Sequence, residues 1–162
     1  MSNSASSYKV IDVTPTLHTS EYASGDIMFN RVEIPNAVLG NGGCSKLLSV
    51  TINSKKAAAS DFVVYFLTNN QSVGSANDAM NISASDGAAA GFLGFCNMND
   101  DNADLGNFNT NHTATSNEDK ARTPFLLQAA SDSTSVYFFA STTTVATYAA
   151  DDLTFRFHIQ LR

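Results

Sequence analysis

The last ten residues leave the backbone little choice. Leu153, Phe155, Phe157, Ile159 and Leu161 alternate with Thr154, Arg156, His158, Gln160 and Arg162, a period of two that a strand with one buried face satisfies and a helix does not. The stretch from Lys46 to Asn53 alternates too, with Leu48, Val50 and Ile52 expected inward and Ser49, Thr51 and Asn53 outward. Asp61 to Leu67 is apolar on both faces, which places it at the centre of a sheet covered on both sides. Phe92–Cys96, Pro124–Gln128 and Ser135–Ala140 read as further strands, the last two joined across Ser131–Thr134 by a hairpin-type turn. Tyr8–Val13, Ile27–Ile34 and Leu105–Phe108 are weaker strand segments. About eight strands at this spacing make an all-β, two-sheet antiparallel sandwich or a barrel. Helical periodicity is confined to Ser83–Ala90, where a serine caps a run of alanines.

The segment Val13–Asp26 breaks the pattern. Pro15 fixes its own φ and holds Thr14 extended, and Gly25-Asp26 supplies a turn before Ile27. Residues 1–26 are therefore expected as an extended N-terminal arm of the same domain, and residues 27–162 as the sandwich. An extended polar segment buries too little apolar area to order itself. It lies either along its own sandwich or on a neighbouring chain, with Thr14, Pro15, Leu17, Tyr22 and Asp26 as the contact residues. A second polar stretch, Asn97–Lys120, is expected as an exposed loop, and Gly40-Asn41-Gly42-Gly43 as a turn.

The chain has 162 residues, one domain's worth, enough to bury roughly 70% of the unfolded chain's surface. Nine Lys and Arg stand against 15 Asp and Glu, a net charge of -6. The basic residues form no cluster beyond Lys55-Lys56, so a phosphate backbone is not an expected partner. No window offers the roughly 20 apolar residues of a membrane-spanning helix. The start lacks the charged and apolar regions of a secretory signal, so the expectation is a chain made in a cytoplasm and used as encoded. The two cysteines, Cys44 and Cys96, read as reduced packing residues.

Sites of chemistry are sparse. Asp100, Asn102 and Asp104 alternate as in the opening of a calcium loop, but Leu105 stands at the glycine position and Asn111 where a bidentate Glu belongs. His18, His112 and His158 are scattered without metal-ligand spacing. Glu21, Asp26 and Glu33 are the residues from which a carboxylate pair of the glycosidase kind would be drawn. No nucleophile elbow and no phosphate-cradling loop occur. The expectation is a protein that is not an enzyme and takes no cofactor.

The stretch Val13–Asp26, then Glu33-Ile34-Pro35-Asn36-Ala37, Leu47-Leu48-Ser49-Val50 and Leu126-Leu127-Gln128-Ala129-Ala130 before the final strand, resembles the small capsid-decorating, or cement, proteins of tailed bacteriophages. The resemblance implies a jelly-roll-like sandwich on the outer surface of the virion, as homotrimers that bridge subunits of the major capsid protein. On this reading the arm from Ser7 to Asp26 is expected on a neighbouring subunit, adding backbone hydrogen bonds at a strand edge, with Leu17 and Tyr22 filling pockets there. The alternative expectation is a tail-fibre or carbohydrate-binding module of a virion. The absence of Trp argues against a sugar platform.

Overall fold

The computed structural model describes residues 7–55, 61–98, 110–114 and 125–161. Among these are nine strands and one helix: β1 (Ser7–Val13), β2 (Ile27–Ile34), β3 (Cys44–Ser54), β4 (Phe62–Leu67), α1 (Ala84–Ala90), β5 (Phe92–Met98), β6 (Thr110–Ala114), β7 (Phe125–Gln128), β8 (Val136–Thr142) and β9 (Leu153–Leu161). All pairings are antiparallel. Sheet one has the order β1-β9-β3-β6, with β7 also on β3, and sheet two has the order β2-β8-β4-β5.

Strands β6 and β7 share one lane. Thr110–Ala114 pairs with the Val50–Ser54 half of β3, and Phe125–Gln128 continues in the same direction along Cys44–Leu47. Counted as one strand, they make each sheet four-stranded. The chain passes from sheet to sheet so that the first strand lies beside the last, the double Greek-key winding of a jelly roll. The expected all-β, two-sheet antiparallel sandwich is thus the fold.

The core is a layer of phenylalanines between the sheets. Phe138 of β8 meets Phe29 of β2 and Phe155 and Phe157 of β9 at centroid distances of 5.2, 5.1 and 4.9 Å. Phe62 and Phe66 of β4 extend the layer to Phe155 and Phe157. The tilted and edge-on geometries set ring edges against ring faces, the favoured arrangement for such quadrupoles. Strand β9 follows the sequence alternation, every odd residue from Leu153 to Leu161 being buried.

Three expectations are corrected by pairing. A bulge between Leu47 and Ser49 shifts the β3 register on β9, so Leu47, Val50 and Ile52 face inward and Leu48 is only half-buried. Residues Ser131–Thr134 do not close a hairpin, because β7 pairs with β3 in sheet one while β8 pairs with β2 and β4 in sheet two. The turn crosses between sheets, and it docks on the Gly40–Gly43 turn, where the Gly42 N–H donates to the Ala130 and Ser133 carbonyls, each at 3.0 Å. The third concerns the N-terminal segment. From Ser7 onward it lies along its own sandwich, residues 7–13 as β1 on β9 and residues 14–26 as the connection to β2.

Strand β4 is central, between β8 and β5, as its two-sided apolarity predicts. Helix α1 begins where the serine predicts: the Ser83 hydroxyl accepts the Asp86 N–H at 3.1 Å. Gly91, in the left-handed region at φ 64°, ends it. The expected strand Leu105–Phe108 lies outside the described residues.

One buried hydroxyl has no partner. Ser45 is fully buried on the inner side of β3, and its side chain makes no hydrogen bond among the described residues. Removing an unsatisfied buried hydroxyl removes its desolvation cost. Ser45→Ala is therefore expected to stabilise the fold by up to about 1 kcal/mol, whereas Phe138→Ala is expected to cost about 3–5 kcal/mol. Chemical denaturation of the two variants measures both signs.

Candidate contact surface

The N-terminal residues expected at a partner are distributed between core and surface. Leu17 is 3% exposed and Tyr22 0% exposed, both within the core of their own chain. The Leu17 N–H donates to the Ala150 carbonyl at 2.9 Å, and Tyr22 bridges to Ala146 in both directions. The connection thus closes one end of the sandwich against the segment between β8 and β9. Pro15 is buried, and Thr14 is exposed with its hydroxyl 2.9 Å from that of Thr154. Asp26 is buried, its Oδ2 accepting the Ala23 N–H at 2.7 Å to shape the turn before β2.

Tyr22 carries most of this closure. Its hydroxyl donates to the Met28 carbonyl at 2.8 Å and accepts the His18 N–H at 2.6 Å, and its ring meets Tyr148 edge-on at 6.3 Å. Burial pushes the phenol above its ordinary pKa, because a phenolate there would lose its water.

Edges and outer faces are where another molecule can touch. The start of the β2 edge is covered by its own chain: Val73 N–H donates to Asn30 Oδ1, Asn77 N–H to the Ile27 carbonyl, and Met80 N–H to the Gly25 carbonyl. On the other sheet, β1 pairs with β9 on one side, and among the described residues no strand lies on its other side. Its outward residues Tyr8 and Val10 are 69% and 55% exposed. Lys9, directed to the inner side, is tied to the Asn36 carbonyl at 3.1 Å. An open edge with exposed apolar side chains is a template for pairing unless charges guard it.

Register places these residues in rows. Tyr8, Gln160, Lys46 and Leu126 lie opposite one another across β1, β9, β3 and β7 on the outer face of sheet one. Leu126 is 55% exposed. The next row holds Val10 and His158, and the one beyond it Asp12 and Arg156. Arg156 donates to Asp12 through Nε and Nη2, each at 2.8 Å. This two-pronged bond holds the Asp12 carboxyl below its ordinary range. The outer face of sheet two is aromatic: Tyr65 stacks on Phe139 at 4.7 Å, with Phe92 and Phe95 around it, and Phe92 is 45% exposed.

No protein-family model matches this sequence, and no curated protein matches it. Two solved structures are similar to it at 12% identity each. A chain of tomato aspermy virus aligns over 96% of this chain and 76% of its own length, with a TM-score of 0.45. A chain of Desmodium yellow mottle tymovirus aligns over 99% and 84%, with a TM-score of 0.29.

Among the described residues the other candidate groups do not converge. Asp100, Asn102 and Asp104 lie outside the described residues. Among the described residues no three His, Cys, Asp or Glu side chains converge as metal ligands. Asp26 and Glu33 stand at opposite ends of β2, roughly 20 Å apart at about 3.3 Å per residue, too far to act as a carboxylate pair. His18 Nδ1 accepts the Ser20 N–H, and His158 faces outward. Cys44 and Cys96 are unpaired, and burial pushes the Cys96 thiol up to about 12. A polar groove of about 290 Å³ lies beside α1, lined in part by Gln71, Ser72 and Asp86.

Sequence alternation points to Tyr8 and Val10 as one face of a strand, but nothing in the linear chain announces the row that joins Tyr8 to Lys46 and Leu126. That row exists only once β9 has been inserted between β1 and β3.

Two outcomes follow. Tyr22→Phe leaves the Met28 carbonyl and the His18 N–H without their partner and is expected to cost about 1–3 kcal/mol, read by chemical denaturation. Because the folded Asp12 pKa lies below its ordinary 3.8, the stability this carboxylate contributes is present above that value and lost as pH falls through the lowered one. The stability difference between the native chain and Asp12→Asn is therefore expected to shrink steadily below about pH 4, as followed by denaturation at a series of pH values.

Proposed function

We propose that the chain is a structural protein of a virus particle whose work is lateral contact. In its finer form, it is a decoration protein on the outside of a phage head that joins subunits of the major capsid protein. The observation that supports this reading is the open β1 edge: a strand paired with β9 on one side, with apolar Tyr8 and Val10 on its outer face and no strand on its other side among the described residues, on a fold whose own chain bonds to the β2 edge at residues 25–30. The jelly-roll winding adds an analogy of fold, since viral shells and lectins are built on it.

An incoming extended segment on this edge gains a ladder of backbone hydrogen bonds, each worth about 0.5–1.5 kcal/mol net, and Tyr8 and Val10 supply side-chain contacts beside the ladder. A single contact of this size is weak. Repetition over a closed shell makes later contacts intramolecular, and avidity then exceeds any single affinity. The acidic balance of 15 Asp and Glu against nine Lys and Arg suits an exterior surface away from a genome.

Two measurements test the reading. Quantitative mass spectrometry of purified particles is expected to find the chain in a fixed, high ratio to the main shell protein. Its absence, or only a handful of copies, overturns the proposal. Removal of residues 1–26 is not a usable test, because Ile11, Leu17 and Tyr22 belong to the core. The variant Tyr8→Ser with Val10→Lys is expected instead to fold with little change in Tm and to lose at least about tenfold in particle affinity.

A further inference from the structure

The groove beside α1 takes no part in the open edge of β1, and its lining has a chemistry of its own. Its volume of about 290 Å³ is at the small end of ligand pockets, room for one ring-sized molecule. Gln71, Ser72, Asn81 and Asp86 line it, together with apolar Val73 and Ile82. One wall is fastened to β2 by Asn30, whose Oδ1 accepts the Val73 N–H at 3.1 Å and whose Nδ2 donates to Ser72 Oγ at 2.8 Å. Gly74 continues this wall at φ 136°, a conformation that favours glycine, and lies so close to β2 that a Cβ there would stand 2.5 Å from Ile27 Cδ1. On the other wall the Ser83 hydroxyl donates to Asp86 Oδ2 at 2.6 Å and fixes the carboxylate. Gln71 Nε2 joins the two walls, 3.4 Å from Asp86 Oδ1, a long bond that a ligand hydroxyl can displace. Next to the groove's Ile82 stands Phe92: a Cβ at Gly87 would lie 3.8 Å from Ile82 Cγ2 and 3.6 Å from Phe92 Cε2, so the two side chains flank the same glycine. Phe92 is 45% exposed.

We infer that this groove binds the terminal sugar of a glycan, a single neutral ring. Adjacent ring hydroxyls each donate and accept a hydrogen bond, and the lining offers both functions: the amides of Gln71 and Asn81 donate and accept, and the Asp86 carboxylate accepts. Ser72 Oγ already accepts from Asn30, which leaves its own O–H to donate. The exposed ring of Phe92, on a chain without Trp, supplies an apolar surface for the C–H face of the sugar. An anion is the poorer occupant, because no Lys, Arg or His lines the groove and the Asp86 N–H is taken by Ser83 Oγ. A calcium ion would need more carboxylates than the single one present. The groove lies beside β2 of sheet two and the open edge is on sheet one, so both can be occupied at once. On a particle, such sites would be repeated, and contacts too weak to hold singly would hold together.

This goes beyond the shell-protein reading and is tested in solution without particles, so failure here leaves the copy-number measurement standing. Saturation-transfer NMR of the full chain with methyl glycosides of glucose, galactose, mannose and N-acetylglucosamine is expected to detect at least one, with Kd on the order of 1–10 mM. The side-chain amide signals of Gln71 and Asn81 are expected to move with it. Asn81→Ala, Phe92→Leu and Asp86→Asn are each expected to weaken binding at least about threefold, with folding checked by melting temperature. The last change keeps an oxygen for the Ser83 hydroxyl and removes the charge. The inference is overturned if none of the glycosides binds, if binding leaves the Gln71 and Asn81 amides unmoved, or if all three variants bind as the native chain does. Binding of free hexoses but not of their methyl glycosides also overturns it, since a chain end must tolerate the glycosidic link. Calcium chloride that moves the same amides in a chain that takes no glycoside would assign the groove to a cation instead.

Discussion

The rest of the structure depends on the contact of Phe155 and Phe157 with Phe138. Those rings lie on β9 and β8, one strand from each sheet, and each strand is internal, with neighbours on both sides. Fixing them therefore fixes the stacking of the two sheets and, through the pairings of β9, the positions of β1 and β3. The outer row from Tyr8 to Leu126 is a consequence of that arrangement. It is assembled from residues distant in sequence, but its geometry is no less determined than that of the core beneath it.

The N-terminal segment shows how the same local features serve two ends. Pro15 and the extended backbone around it look the same whether the chain lies on itself or on a neighbour. What decides is the fate of the apolar side chains, and Leu17 and Tyr22 end inside their own sandwich. The surface left for contact is the edge and outer side of β1, whose buried residue Ile11 faces the core while Tyr8 and Val10 do not.

Much of this fold is legible in the linear chain because a strand with one buried face has a period of two. That reasoning finds β9, while apolarity on both faces gives the central place of β4 and a serine before a run of alanines gives the cap of α1. It fails at Leu48, where a bulge adds a residue to β3 and moves Leu47 inward. It also fails at Ser131–Thr134, since a short polar turn looks the same whether its flanking strands pair with each other or enter different sheets. The contact surface is less legible still: Lys46 and Gln160 are ordinary outward residues until register sets them side by side.

The divided lane opposite β3 has a consequence for what the scaffold will accept. Thr110–Ala114 and Phe125–Gln128 each take their register from β3 independently, so neither half depends on the length of chain between them. Loop-closure entropy grows slowly, by about 0.6 kcal/mol for each doubling of length. Foreign peptide placed between positions 114 and 125 would leave the register on either side unchanged, which makes this break in the strand a natural port for displaying sequence on the sandwich.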